Sequence, residues 1–291
     1  MSGWVVTGAG GMLGHDLMTL LADEDATGFA RGDLDITDVA AVAEALNELR
    51  PAVVINASAY TRVDDAETDE AQALLVNGAG PGVLARWCAA HSARLIHVST
   101  DYVFAGDAAA PYEVDAPTAP AGAYGRSKLA GEEAVRAAGG DAHVVRTGWL
   151  YGVNGPSFIR AVGARLARGE TVDVVTDQRG APTWTRELAA RLVILGTAQV
   201  EAGVWHCSAD GSASWYDVAV ALAGLLGVSP DLVRPTTTAA MQRPAPRPAY
   251  SVLSNRKWIS AGLPPMGDWR VALEAALAEH RDALTGATGD T

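Results

Sequence analysis

The sequence predicts an α/β fold, a doubly wound parallel sheet with a smaller C-terminal lobe. Three observations predict it. Strand-like and helix-like stretches alternate through the first half of the chain. A glycine cluster, TGAGGMLG (residues 7–14), follows the first apolar run directly. After about residue 150 the β-α rhythm loosens into amphipathic helices, short strands and Pro-rich loops.

The elements follow in order. WVVTG reads as the first strand and MLGHDLMTLLA as a helix with its apolar residues on one side. ATGFA is a weak second strand. DVAAVAEALNELR is a helix opened by acidic residues and stopped near Pro51. AVVINASA is the third strand. DEAQALLVNGAGPGVLARWCAAH is helical around a Gly-rich interruption, ARLIHVST a strand, SKLAGEEAVRAAG a helix and AHVVRTGWL a strand. Beyond it, SFIRAVGARLARG and SWYDVAVALAGLLG read as helices. The Pro-rich RPTTTAAMQRPAPRP is part of the smaller lobe, because strand-like AYSVL and a last helix follow it. The division reads as 1–150 for the sheet domain, with part of 184–206 returning to it, 151–285 for the smaller lobe, and 286–291 as a frayed polar tail.

With 291 residues, 49% hydrophobic and 19% charged, the chain is long and apolar enough for a large core. A formal net charge of −12 argues against a nucleic-acid or anionic-membrane partner. Cys88 and Cys207 sit among apolar neighbours and read as buried free thiols. No signal-peptide pattern and no uninterrupted apolar run of membrane-spanning length is visible, so a reduced cytoplasm is the expected setting.

In such sheets ligands bind beyond the carboxyl ends of the strands. That edge should gather residues 8–14, 56–61, 99–104 and 149–151. Gly8, Gly11 and Gly14 open the first helix after the first strand, where backbone N–H groups would face a dinucleotide pyrophosphate. Their spacing departs from G-x-G-x-x-G, and a structural turn is the alternative. Arg31, ending the second strand, suits a 2′-phosphate and hence NADPH. Asp33 and Asp35 close by leave NADH open, and a solvated surface role for Arg31 is the other reading. Tyr124 and Lys128 in YGRSK share a face if helical, and an ammonium beside a phenol lowers its pKa, making a tuned acid or base. Ser99 and Thr100 end a strand, where a hydroxyl can reach the reacting oxygen.

Together, TGAGGMLG, NASAYTRVDDAE (56–67), STDYVF (99–104), YGRSK (124–128), RTGWLYG (146–152), DQRGAPT (177–183) and RPAYSVL (247–253) resemble the extended short-chain dehydrogenase/reductases of Rossmann type, and within them the dTDP-4-dehydrorhamnose reductase family. The resemblance runs from about residue 4 to 280. It implies Tyr124 as proton donor, Lys128 as its partner and Thr100 as the hydroxyl. It implies a cofactor site of Gly8, Gly11, Met12, Leu13, Gly14, Arg31, Asp35, Ile36, Ala57, Ser58 and Ala59, with Tyr124 and Lys128. It implies a substrate-binding site of Thr100, Asp101, Val103 and Trp149, with Trp149 as an aromatic wall for the sugar and core packing as its alternative; Arg179 and Arg247 of the smaller lobe are candidates for the diphosphate, because the guanidinium fork suits phosphate oxygens. The implied substrate is a dTDP-linked 4-keto-6-deoxy sugar. Gly148 stands where the family pattern has a small hydroxyl residue. Glu187 matches one position of a glutamate-bound metal at a dimer interface in some members, but its partners do not match, which leaves Mg²⁺ and a homodimer open. The resemblance equally admits a reductase or epimerase of another nucleotide sugar, such as a dihydrostreptose-type synthase. A non-catalytic NADP-binding regulatory subunit is a further reading, disfavoured by the presence of Thr100, Tyr124 and Lys128.

Overall fold

The structure is a computed structural model that describes residues 3–286. Strands β1 (Trp4–Thr7), β2 (Ala26–Phe29), β3 (Val53–Asn56), β4 (Arg94–Thr100) and β5 (Ala142–Thr147) are all parallel. With the strand Gly203–His206 they form a six-stranded sheet in the order 203–206, β5, β4, β3, β1, β2. The chain leaves β1 in one direction to reach β2 and in the other to reach β3, so the switch point lies beside β1, where such folds bind ligands.

Both faces of the sheet are covered, and strand alternation assigns each residue to its face. Trp4, Val6, Val53 and Ile55 pack with Leu13 and Leu17 of helix α1 (Met12–Leu20) and with Leu188 and Leu192 of the helix Thr185–Thr197. Val5 and Val54 pack on the other side with Val42 and Leu46 of helix α2 (Val39–Leu49) and Leu84 of a later helix. Asp38 caps α2, its carboxylate accepting from the N–H groups of Ala40 and Ala41, and Arg50 ends it in the left-handed region at φ +46°.

The Gly-rich interruption predicted in the next helix is a π-helical turn. Helix α3 (Glu70–Leu74) runs through a π turn at Leu75–Ala79 into helix α4 (Gly80–His91) without leaving helical backbone. Helix α5 (Ala123–Ala138) starts four residues earlier than SKLAG suggested and so includes Tyr124. The strand read as AHVVRTGWL ends at Thr147. Trp149 adopts φ +52°, and Leu150–Tyr151 separates as a short strand parallel to Thr183–Trp184. AYSVL is extended but makes only isolated bridges, Tyr250 to Asp107 and Arg179, and Leu253 to Tyr112.

The second core lies among the helices Phe158–Ala167, Trp215–Leu226 and Trp269–Thr285, around Leu166, Leu222, Trp269 and Leu273. Besides 184–206, residues 256–266 also pack onto the sheet side. Trp258 is buried edge-on to Trp205, with Leu263 and Met266 in the same cluster. Gly286 caps the last helix at φ +68°, so the predicted tail begins with an ordered cap, and 287–291 lie outside the described residues.

Candidate active site

The cofactor side is shaped by missing side chains. Gly8 sits at φ +76°, and a Cβ there would lie 2.6 Å from the Ser58 nitrogen; a Cβ on Gly14 would lie 2.1 Å from the Gly8 carbonyl oxygen. Only glycine lets the turn press against the end of β3 and α1 press against the turn. Gly11 caps α1 with no side-chain bond and no acid follows in the first turn, so the first N–H groups of α1 are available to an anion. Met12 is half-buried beside Gly152, whereas the Leu13 side chain belongs to the core and contributes here only backbone.

At the end of β3, Ala57 and Ser58 meet Gly8, and Ala59 continues the same segment. Asn56 holds that segment from below. Its Oδ1 accepts from Thr7 Oγ1 at 2.8 Å and from the Ser58 nitrogen at 3.0 Å, and its amide contacts His97 at 3.1 Å. Arg31 is exposed and makes no ion pair among the described residues. The Asp35 carboxylate accepts from the Thr37 nitrogen and hydroxyl, which hold its pKa below the usual range, with the Arg31 charge adding. It is thus engaged within its own turn. Ile36 is buried against Gly80.

On the catalytic side, Ser99 and Thr100 part company. Ser99 turns inward and donates to Glu132 at 2.6 Å, within the buried Glu132–Arg146 ion pair. The Thr100 hydroxyl donates to Asp101 Oδ1 at 2.9 Å and lies close enough to Tyr124 to favour its ionised form. Lys128 is buried, and its Nζ donates to the Val98 carbonyl at 2.7 Å; burial draws its pKa down to about 8. The expected lowering of the Tyr124 pKa is not found. Burial pushes the phenol up to about 12, Thr100 pulls it back and the Asp101 charge raises it again. Desolvation of the phenolate outweighs the Thr100 hydrogen bond.

Asp101 is itself buried and pushed up to about 6, against the pull of the Ser251 and Thr100 hydroxyls. Gly148 leaves room for it: a Cβ at 148 would lie 2.6 Å from the Asp101 carboxylate.

The substrate side is already occupied by partners within the chain. Trp149 stacks on Trp215 with ring centroids 3.5 Å apart and planes 6° apart. Gly180 closes on the indole so tightly that a Cβ would lie 2.2 Å from Cε2. One face of the indole is thus covered by Trp215, and Gly180 packs against its Cε2–Nε1 side. The Val103 side chain is fully buried with Phe104 and Leu253, which removes it as a side-chain contact. Arg179 is exposed, donates to Ser212 at 3.3 Å and lies 3.8 Å from Asp217. Arg247 is held by Asp64 at 2.9 Å and by the Ala245 carbonyl. Neither arginine is free of a partner, as a diphosphate role on its own would suggest.

Sequence reasoning assigns no role to Asp64, Glu67, Asn77 or Glu132, and gives Asn56 a place at the ligand edge but not its clamp on the segment that follows. Asn77, fully buried in the π turn, accepts from the Tyr60 nitrogen and donates to the Tyr60 carbonyl and to Ser127 Oγ. A polar residue inside an apolar helical run was the available signal. Glu187 keeps one buried oxygen without a partner, yet among the described residues no group of three or more His, Cys, Asp or Glu is arranged to hold a metal ion.

The family model described as the RmlD substrate binding domain matches residues 3–282. A probable dTDP-4,6-dihydroxy-2-methyloxan-3-one 4-ketoreductase of Streptomyces antibioticus is 51% identical, covering 98% of this chain and 99% of its own. A dTDP-4-dehydrorhamnose reductase of Streptomyces griseus is 48% identical, covering 98% and 95%. The crystal structure of the dTDP-4-dehydrorhamnose reductase of Bacillus anthracis in complex with NADP superposes with a TM-score of 0.91 at 34% identity, covering 96% and 99%. A glycine turn against β3, a Tyr–Lys pair on one helix and a strand-end threonine, in a chain matched end to end by these relatives, place it in the dTDP-4-dehydrorhamnose reductase family.

Proposed function

We propose that the chain reduces the C4 ketone of a dTDP-4-keto-6-deoxyhexose with NADPH, in the making of a deoxysugar. The observation that carries this reading is the convergence of Thr100, at the end of β4, with Tyr124 and Lys128 one turn apart on α5, where Lys128 Nζ reaches the Val98 carbonyl; burial keeps the Tyr124 phenol protonated near neutrality, as a proton donor to a developing alkoxide must be. The backbone of Gly8–Gly14, Arg31 and the Ala57–Ala59 segment would hold the dinucleotide, which when bound supplies the hydride. Thr100 hydrogen-bonds the ketone oxygen and orients it toward Tyr124. Lys128, its pKa near 8, remains largely charged at neutral pH and stabilises the phenolate left after proton transfer. Asp101, Arg179 and Arg247 border the sugar nucleotide. No helix among the described residues is long and apolar enough to cross a membrane.

A second reading, reduction of a different dTDP-linked keto sugar, is favoured by the 51% identical relative, which is named for another ketone. NADPH consumption against a panel of dTDP- and UDP-linked keto sugars, with NMR of the product, decides. Turnover of dTDP-4-dehydrorhamnose to dTDP-rhamnose supports the first reading, turnover of another member of the panel alone supports the second, and no turnover of any keto sugar rejects both.

A further inference from the structure

Helix α5 carries the proton donor in its first turn but supplies no cap of its own. Its N-cap is Gly122, without a side chain, and no acid lies in its first turn. The free N–H groups of a helix start need an acceptor, and a carboxylate there also complements the helix dipole. The acceptor comes from 56 residues upstream: Glu67 Oε1 takes the Ala123 N–H at 2.8 Å. Glu67 ends a 3₁₀ turn, Asp65–Glu67. Ala66 of that turn is fully buried with Tyr60, Ala73 and Ala123, and Tyr124 packs against the same cluster. Arg126 adds a two-pronged bond to Glu70, at 2.7 and 3.1 Å. A Cβ at Gly122 would lie 2.8 Å from Glu67 Oε1, so a side chain there would press on the carboxylate that caps the helix.

We infer that Glu67 is a positioning residue for the proton donor, a remote cap that fixes the first turn of α5 and with it the Tyr124 hydroxyl. The same segment reaches the substrate side, since Asp64 holds Arg247, Arg243 and the Ala245 N–H. One short stretch therefore sets the place of Tyr124 and of the Pro-rich strap together. The inference rests on the reading of Tyr124 as proton donor.

Three variants of the full chain test it, with kcat and both KM values measured well below the unfolding temperature and the solvent deuterium isotope effect on kcat alongside. Glu67→Ala should lower kcat by about 10- to 100-fold with both KM values within about twofold, the scale expected of a reacting group misplaced by about 1 Å. The isotope effect should rise as proton transfer becomes limiting. Glu67→Gln keeps a carbonyl acceptor and should stay within about threefold of wild type. Glu67→Ala/Gly122→Ser removes the conflict with the Glu67 carboxylate, leaves the Pro246 ring 3.3 Å from the new Cβ to give by a few tenths of an ångström, offers a local cap in an extended backbone (φ −120°, ψ 166°), and should recover most of kcat. Unchanged kcat in Glu67→Ala overturns the inference, as does a Gln variant as slow as Ala or a double variant without recovery. If Glu67→Ala fails to fold, the Gln and double variants carry the test with the same outcomes. Tyr124→Phe, run in parallel, separates the two claims: an active Phe variant rejects the donor assignment itself, while an inactive one with a neutral Glu67→Ala rejects only the cap.

Discussion

The two sides of the cleft are built on opposite terms. On the cofactor side the shape comes from absent side chains: Gly8 and Gly14 bring backbone so close that any Cβ would collide, and the N–H groups of α1 stand uncapped. On the substrate side the shape comes from large side chains already held by others: Trp149 stacked on Trp215, Arg247 on Asp64, Arg179 beside Ser212 and Asp217. The first kind of site is fixed by local sterics and waits for its ligand. The second is fixed by tertiary partners with which a ligand must compete, so its response to mutation mixes folding with binding.

The sharpest test of that contrast lies on the seam. Tyr124→Phe should lower kcat by about 10²–10⁴-fold while the NADPH dissociation constant, read by fluorescence titration, stays near wild type. A variant that retains most of its turnover would remove Tyr124 from the chemistry. Next in size is Trp149→Ala, which should cost about 3 kcal/mol of stability in a urea melt, because it unstacks Trp215 as well as opening a void. A rise in KM for the keto sugar with no change in the unfolding midpoint would show that the substrate side is less committed to packing than described.

Asp101→Asn probes the same side in the other direction. With Asp101 raised from 3.8 to about 6, the folded chain binds more protons than the unfolded one between those values, so wild-type stability falls as pH rises through that window. The Asn variant should therefore be more stable than wild type by about 3 kcal/mol above pH 6, and the gain should vanish below pH 4. An equal effect at both pH values would mean that the carboxylate charge is not what burial penalises. The smallest effect belongs to the cofactor side. Arg31→Ala should weaken NADPH binding by about tenfold and leave NADH within about twofold, the size of one charge-assisted bond. Equal losses would make Arg31 a surface charge.

The glycine turn after β1 could be read in the sequence because glycine spacing and strand-helix order are local. The sheet could be read for the same reason, from apolar runs such as VVIN and LIHV. Tyr124 and Lys128 were readable as a pair but not in their electrostatics. Burial, which raised the phenol, depends on what Ala66, Tyr60 and Val76 do from elsewhere in the chain. The packing of Trp149 is not legible in the sequence because its neighbours lie 31 residues (Gly180) and 66 residues (Trp215) further along. Glu67 and Asn77 escaped notice because a cap or clamp delivered across the fold leaves no mark on the helix it serves.

The contact between Asp101 and Gly148 makes the two positions a single mutational unit. Any residue larger than glycine at 148 must first displace a buried carboxylate, so its measured effect includes the cost of moving Asp101 as well as its own. Scanning position 148 alone would report strong intolerance for almost every residue, and the two changes would not add when combined. A library meant to reshape the sugar pocket should therefore vary 101 and 148 together, since combinations acceptable to the fold can lie behind single steps that are not.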